Sequence, residues 1–260
     1  MKTGWTHVTN GRLEHAWWGP EPSNAPTLVL LHEGLGSISL WRDVPEKLAA
    51  STGCAVFAYA RFGYGNSDPA ALPRPMDYMH REAQVILPEI LRAAGIRRPL
   101  LLGHSDGGSI AAIYAGHHPD GLTGLVTIAA HFIVEDLNIA SIRQIKQDYA
   151  TGDLRQRLAR HHRDGDATFR GWNDAWLDPR FRDFDITGFL PRIRVPILAL
   201  QGEIDPYGTN EQLRVFEANV TAPITTQLIP GARHAPHLEA KDTTLAAITR
   251  FVAALSAHKN

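Results

Sequence analysis

Ser105 is the residue of this chain best placed to act as a nucleophile. It stands in Gly103-His104-Ser105-Asp106-Gly107, directly after the apolar run Pro99-Leu100-Leu101-Leu102 and directly before a helix-like stretch, residues 109–117. In that context the G-x-S-x-G spacing puts the serine on a tight strand-to-helix turn. The glycines two residues to either side stand where a side chain would collide with neighbouring backbone. The pentapeptide alone also fits a plain Gly-rich turn that opens a helix. What turns it towards nucleophilic catalysis is an acid and a histidine later in the chain, in the order Ser, Asp, His.

A serine hydroxyl is a poor nucleophile at neutral pH, so a base must lie within hydrogen-bond reach and a third group must fix the tautomer of that base. Asp205 follows the apolar run Ile197-Leu198-Ala199-Leu200, at the carboxyl end of a strand, where open α/β sheets place their sites. Glu135 and Asp136, after the apolar run that ends near Ala130, are alternative acids or plain helix caps. For the base, His234 lies in the turn Pro230-Gly231-Ala232-Arg233-His234, and His237 is its rival. His104 is expected to pack beneath the turn, because the residue before the serine points away from the cleft. His131 either lines a pocket or is a satisfied structural histidine. Acyl transfer builds charge on a carbonyl oxygen, and the N–H of Asp106 is the expected first donor to it.

The elements that must position these groups follow from periodicity. Segments 6–9 and 13–18 around Asn10-Gly11 predict an opening β-hairpin. Buried strands are predicted over 27–31, 54–60, 99–102, 122–129, 196–200 and 224–229. Helices are predicted over 41–51, 77–94, 109–117 and 243–256, with Pro88 kinking the second. Strand and helix alternating in this way make a mainly parallel central sheet covered by helices on both faces. Residues 131–190 break the pattern: they are dense in Arg and Asp, carry Trp172 and Trp176, and show helical spacing without a buried strand. They are expected to form a helical lid inserted into a core of 1–130 and 191–260, with its charges and His161-His162 on a solvated face.

The 260 residues are 44% hydrophobic and 20% charged, which suits one catalytic core with an insertion. A net charge of −1 supplies no field to hold nucleic acid or anionic lipid. The one cysteine, Cys54, lies in an apolar run and reads as a buried strand residue of a protein from a reducing compartment. Residues 1–10 lack the apolar stretch of a secretory signal, and no run is long enough for a membrane span. A cytoplasmic location is therefore expected. There is no Walker loop and no G-x-G-x-x-G, and no ligand spacing suits a metal, so neither cofactor nor metal is expected. A small-molecule substrate is the expected partner, and the oligomeric state stays open.

Five ordered landmarks carry a resemblance: Leu31-His32-Glu33-Gly34, Arg61-Phe62-Gly63-Tyr64-Gly65-Asn66-Ser67, the turn around Ser105, Gly202-Glu203-Ile204-Asp205, and Gly231-Ala232-Arg233-His234. With them the chain resembles the α/β-hydrolase superfamily from about residue 27 to its end, the 131–190 segment excepted. The resemblance implies the α/β-hydrolase fold, puts Asp205 at the acid position and His234 at the base position, and assigns the second oxyanion donor to Gly34, with Leu35 as its alternative. Glu33 departs from the pattern, since glycine usually holds that place. Its carboxylate is expected to brace the loop through hydrogen bonds or to touch substrate. The implied activity is that of a cofactor-free serine hydrolase cleaving a carboxylic ester or thioester through an acyl-enzyme. Carbon–carbon bond hydrolysis, acyl transfer, or an idle relative that binds a small ligand are the alternatives on the same fold.

Overall fold

The computed structural model describes residues 1–23 and 25–257 and is organised around one eight-stranded sheet. Its strands are β1 (Lys2–Val8), β2 (Gly11–Trp18), β3 (Thr27–Leu31), β4 (Ala55–Tyr59), β5 (Leu100–His104), β6 (Gly124–Ile128), β7 (Ile197–Gly202) and β8 (Ile224–Ile229). They lie in the order β1-β2-β4-β3-β5-β6-β7-β8. The β1–β2 and β2–β4 pairs are antiparallel, and every pair from β4 to β8 is parallel. β3, β4, β5 and β6 are buried along their whole length, as continuous Leu, Val and Ala runs require of parallel strands covered on both faces.

The helices are α1 (Val44–Thr52), α2 (Tyr78–Arg81), α3 (Leu87–Ala93), α4 (Asp106–His117), α5 (Asp136–Thr151), α6 (Leu154–Leu158), α7 (Gly165–Leu177), α8 (Glu211–Asn219), α9 (Pro236–Glu239) and α10 (Lys241–Ala257). Successive strand residues go to opposite faces, which makes two cores. Leu28, Leu30, Leu102 and Val126 pack with Leu48 of α1 and with Ile248 and Val252 of α10. Val29, Leu31 and Leu101 pack with Leu87 and Ile90 of α3 and Ile110 of α4, and this second core also takes in Phe169, Trp172 and Trp176 of α7. Helices α5, α6 and α7 all fall between β6 and β7, and a single antiparallel bridge joins Ile133 to Asp185 near the ends of that segment. Among the described residues no helix is long and apolar enough to cross a membrane.

Three local expectations need correction. The hairpin pairs Val8 with Gly11, so its turn is Thr9-Asn10, one residue earlier than the sequence pattern suggests. Gly11, at φ 144°, serves a close approach, since a Cβ there would stand 3.0 Å from the Asp68 carboxylate and 3.1 Å from the Phe62 ring. The helix expected over 77–94 is interrupted by a π-turn at Glu82–Ile86, just before Pro88. Proline offers no N–H and crowds the carbonyl four residues back, and the widened turn absorbs both defects without a break. His162, expected on a solvated face, is buried, because the turn after α6 packs onto the loops that carry Leu35 and Gly65.

Candidate active site

Ser105 caps α4 directly after β5, with φ 51° and ψ −121°. A non-glycine residue held at positive φ costs on the order of 1–3 kcal/mol, so the surrounding structure must impose it. It does so on both sides. The Ser105 N–H donates to the Ile128 carbonyl at 2.8 Å, while its own carbonyl accepts from the N–H groups of Gly108 and Ser109. A Cβ at Gly103 would overlap the backbone of Gly107, and one at Gly107 would overlap the Leu31 carbonyl.

Asp205 follows β7, and its side chain is fully buried. Its carboxylate meets His234 Nδ1 at 2.8 and 3.0 Å, and accepts from Gln201 Nε2 at 2.7 Å and from the Tyr207 N–H at 2.8 Å. Burial would raise its pKa. The bond from His234 and the charge beside it outweigh that and hold the carboxyl below its usual range. The alternative acids lie elsewhere. Asp136 is exposed and pairs with Arg182 at 2.8 Å, and Glu135 caps α5 while accepting from Thr209 and Gln212. His237 is buried between the rings of Trp41 and His104, and burial holds it well below the ordinary histidine range. His104 is buried too, and its Nε2 donates to the His234 carbonyl at 2.7 Å.

The loop after β3 is held by its carbonyls. Arg61, buried at the end of β4, donates from Nη1 to the His32 carbonyl at 2.5 Å and from Nη2 to the Glu33 carbonyl at 2.8 Å. The Glu33 carbonyl also accepts from the Gly36 N–H, and His32 Nδ1 lies 2.8 Å from it. In a trans peptide the C=O of one residue and the N–H of the next point in opposite directions. Anchoring the Glu33 carbonyl therefore turns the Gly34 N–H the other way. Among the described residues, the N–H groups of Gly34, Leu35 and Asp106 have no hydrogen-bond partner.

A cavity of about 110 Å³ collects these groups: Ser105, Asp106, His234, His131, Glu33, Gly34 and Leu35 from the sheet side, and Trp172 and Trp176 from α7. Asn138, Ile142, Ile145 and Tyr207 complete the wall; no sequence pattern singles them out, because helical spacing alone does not tell which face of α5 meets the site. Asp205 stands behind His234. The Asp106 carboxyl accepts from Tyr78 Oη at 2.6 Å and from Trp176 Nε1 at 3.3 Å, and burial raises its pKa against the pull of Arg61. His131 lies 5.9 Å from the His234 ring, and burial together with His234 drives it down to about 3. The Glu33 carboxylate is partly exposed and 3.5 Å from His104 Nδ1. Arg61 belongs to the site through the loop it holds. A charged residue at the carboxyl end of a buried strand is the signal that points to it.

Comparison with known proteins agrees with the architecture. The family described as alpha/beta hydrolase fold matches residues 26–188. Over 226 residues the chain is 26% identical to a proline iminopeptidase of Lactobacillus helveticus (strain DPC 4571), covering 71% of this chain and 76% of that protein. It is 28% identical over 193 residues to the serine hydrolase BPHL of Homo sapiens, covering 72% of this chain and 65% of that one. The solved structure of a proline iminopeptidase from Mycobacterium smegmatis superposes with a TM-score of 0.79 at 20% identity, over 100% of both chains.

Proposed function

This chain belongs to the α/β-hydrolase family, and from that premise we propose that it is a serine hydrolase that opens a carboxylic ester or thioester through an acyl-enzyme. Ser105 attacks the carbonyl carbon, and His234 takes the hydroxyl proton and returns it to the leaving group. Asp205 keeps the His234 ring in the required tautomer and stabilises its protonated form. Water then releases the acid by the same route. The N–H groups of Asp106 and Gly34 receive the developing oxyanion, each worth on the order of 100-fold or more in rate. Residues 131–190 act as a lid that closes the cavity from above and excludes water.

The observation that carries this proposal is the His234–Asp205 contact at 2.8 Å, on the rim of the cavity that Ser105 enters from a strained turn. A binding protein has no need of a buried carboxylate tied to that histidine. The test is covalent labelling by a fluorophosphonate beside a panel of p-nitrophenyl esters, acyl-thioesters and prolyl p-nitroanilide. Wild-type protein should be labelled and should turn over short esters. Ser105→Ala should lose labelling and about three or more orders of magnitude in turnover while keeping its melting temperature. Labelling that persists in Ser105→Ala would overturn the nucleophile, and a rate confined to the anilide would replace the ester with an amide.

A further inference from the structure

We propose that His162 is a positioning residue, carried by the lid, that holds the loop receiving the oxyanion, so that the site is complete only while the lid is seated. The inference rests on the serine hydrolase proposal and adds to it a means by which residues 131–190 govern the rate. His162 lies in the turn between α6 and α7, is only 6% exposed, and ties two core loops at once. Its Nε2 donates to the Leu35 carbonyl at 3.0 Å, and its Nδ1 accepts from the Gly65 N–H at 3.0 Å. A backbone N–H only donates and a carbonyl only accepts, so the ring is the neutral tautomer with its proton on Nε2. Burial favours that neutral form, holding the ring below the ordinary histidine range.

The tie to Leu35 falls at the critical turn. Residues 33–36 form a turn closed by the Gly36 N–H on the Glu33 carbonyl, with Gly34 and Leu35 at its centre. Arg61 clamps the carbonyl that opens this turn, and His162 clamps the carbonyl of Leu35. The peptide between the two carries the Leu35 N–H, and clamps on either side leave it little freedom to rotate. The free N–H groups of Gly34 and Leu35 then keep one orientation. The clamps differ in origin: Arg61 belongs to the sheet and holds whenever the core is folded, whereas His162 arrives with the lid. Among the described residues no other hydrogen bond joins residues 131–190 to residues 32–36, and the exposed pair of Ser39 and His161 lies beyond the turn. The neighbouring lid bonds go to a different loop, the Arg163 N–H to the Gly65 carbonyl at 2.8 Å and Thr168 Oγ1 to the Gly63 carbonyl at 2.6 Å. They dock the segment, and His162 alone of this set reaches the oxyanion loop.

Asparagine and glutamine at position 162 separate the two bonds, because an Asn amide oxygen stands near the place of Nδ1 and a Gln amide nitrogen near the place of Nε2. His162→Asn keeps the tie to Gly65 and loses the one to Leu35, and His162→Gln does the reverse. Both should melt lower than wild type, so rates are read at a temperature where each is fully folded. With p-nitrophenyl butyrate, His162→Asn should lose about tenfold or more in kcat while KM changes by less than about threefold, and His162→Gln should recover most of that loss. Equal kcat losses in the two variants, or a loss carried by KM, would overturn the proposal and leave His162 a docking residue. A measurement on the wild type decides the matter if either variant folds poorly. By reciprocity, a phosphonyl oxygen seated on the oxyanion donors steadies the loop and with it the clamp. Exchange of the His162 Nε2 proton with solvent, followed by NMR on 15N-histidine-labelled protein, should therefore slow about threefold or more once Ser105 is labelled by fluorophosphonate. An exchange rate unchanged by labelling would equally overturn the proposal. A wild type that is inert to every ester and unlabelled would instead remove the hydrolase proposal beneath it, an outcome distinct from active enzyme whose Asn and Gln variants behave alike.

Discussion

The two walls of the cavity are held in place by different means. On the sheet side each functional group is set by backbone: Ser105 by its bond to Ile128 and by two glycines, Asp205 by the end of β7, and the Gly34 loop by carbonyls clamped to Arg61. On the side of α5 and α7 the groups are set by side-chain packing, with Trp172, Trp176, Ile142 and Ile145 lining the cavity. Backbone pairing fixes atoms to a fraction of an ångström, which bond-making needs. Packed side chains hold shape and can be exchanged without disturbing the sheet. The first wall is thus suited to chemistry and the second to selection.

The sharpest way to break this division is to compare each residue assigned to the sheet-held wall with the rival candidate that lies outside the cavity. His234→Ala should lower ester turnover by about three orders of magnitude or more and abolish fluorophosphonate labelling, because Ser105 loses its base. His237→Ala should leave labelling within a few fold of wild type and instead lower the melting temperature, since it empties a buried site between Trp41 and His104. By the same reasoning Asp205→Asn should cripple turnover, while Asp136→Asn, at an exposed pair with Arg182, should not. A reversed ranking within either pair would detach the chemistry from the wall assigned to it.

The same division explains what the sequence made legible. Ser105, Asp205, His234 and the loop at Gly34 follow strands, and strands announce themselves as apolar runs, so order along the chain brought Ser105 and Asp205 forward, while the resemblance to the α/β-hydrolases singled out His234 and Gly34. The groups that hold these residues were harder to see. Arg61 and Gln201 act through bonds that span about thirty and four positions, and only the folded sheet brings Arg61 to the carbonyls of His32 and Glu33. The α5 and α7 wall was legible as helix and as aromatic. Which faces of these helices meet the cavity depends on packing between elements distant in sequence, which periodicity does not encode. His162 shows the cost: a pair of histidines in a charged segment reads as solvated until the fold brings Leu35 and Gly65 against it.

A smaller effect concerns the acid sensitivity of the buried histidines around the sheet-held wall. Burial holds His32 and His237 well below the ordinary histidine range, and burial together with His234 takes His131 to about 3. In the unfolded chain these rings titrate near 6.5. Below that pH the unfolded state binds protons that the folded state refuses, so stability is full above about pH 6.5 and falls as the pH drops towards the folded values. The slope is up to roughly 1.4 kcal/mol per pH unit for each ring. Urea midpoints at pH 7, 6 and 5 should therefore decline, and His131→Asn should flatten the decline. A midpoint that stays level from pH 7 to 5 would mean that these rings accept protons in the folded state.

The smallest expected effect tests Glu33, on the loop of the sheet-held wall. Burial would raise the Glu33 pKa, but the contact with His104 outweighs it and keeps the carboxyl below its ordinary range. A carboxyl depressed in the fold stabilises at pH values above its unfolded pKa, and that contribution is lost as the pH falls through the folded value. With one contact at 3.5 Å and 28% of the side chain exposed, the contribution at pH 7 is below about 1 kcal/mol. The loop carbonyls are already clamped by Arg61, so Glu33→Gln should shift the melting temperature by no more than a degree or two. Its consequence should appear in selectivity, because Glu33 is among the residues that line the cavity and its charge repels an anionic acyl group. Glu33→Gln should raise kcat/KM for p-nitrophenyl hemisuccinate several-fold and change the neutral butyrate by less than about twofold. A uniform loss on both esters together with a clear drop in melting temperature would make the carboxylate a brace of the loop and place Glu33 wholly with the backbone-held wall.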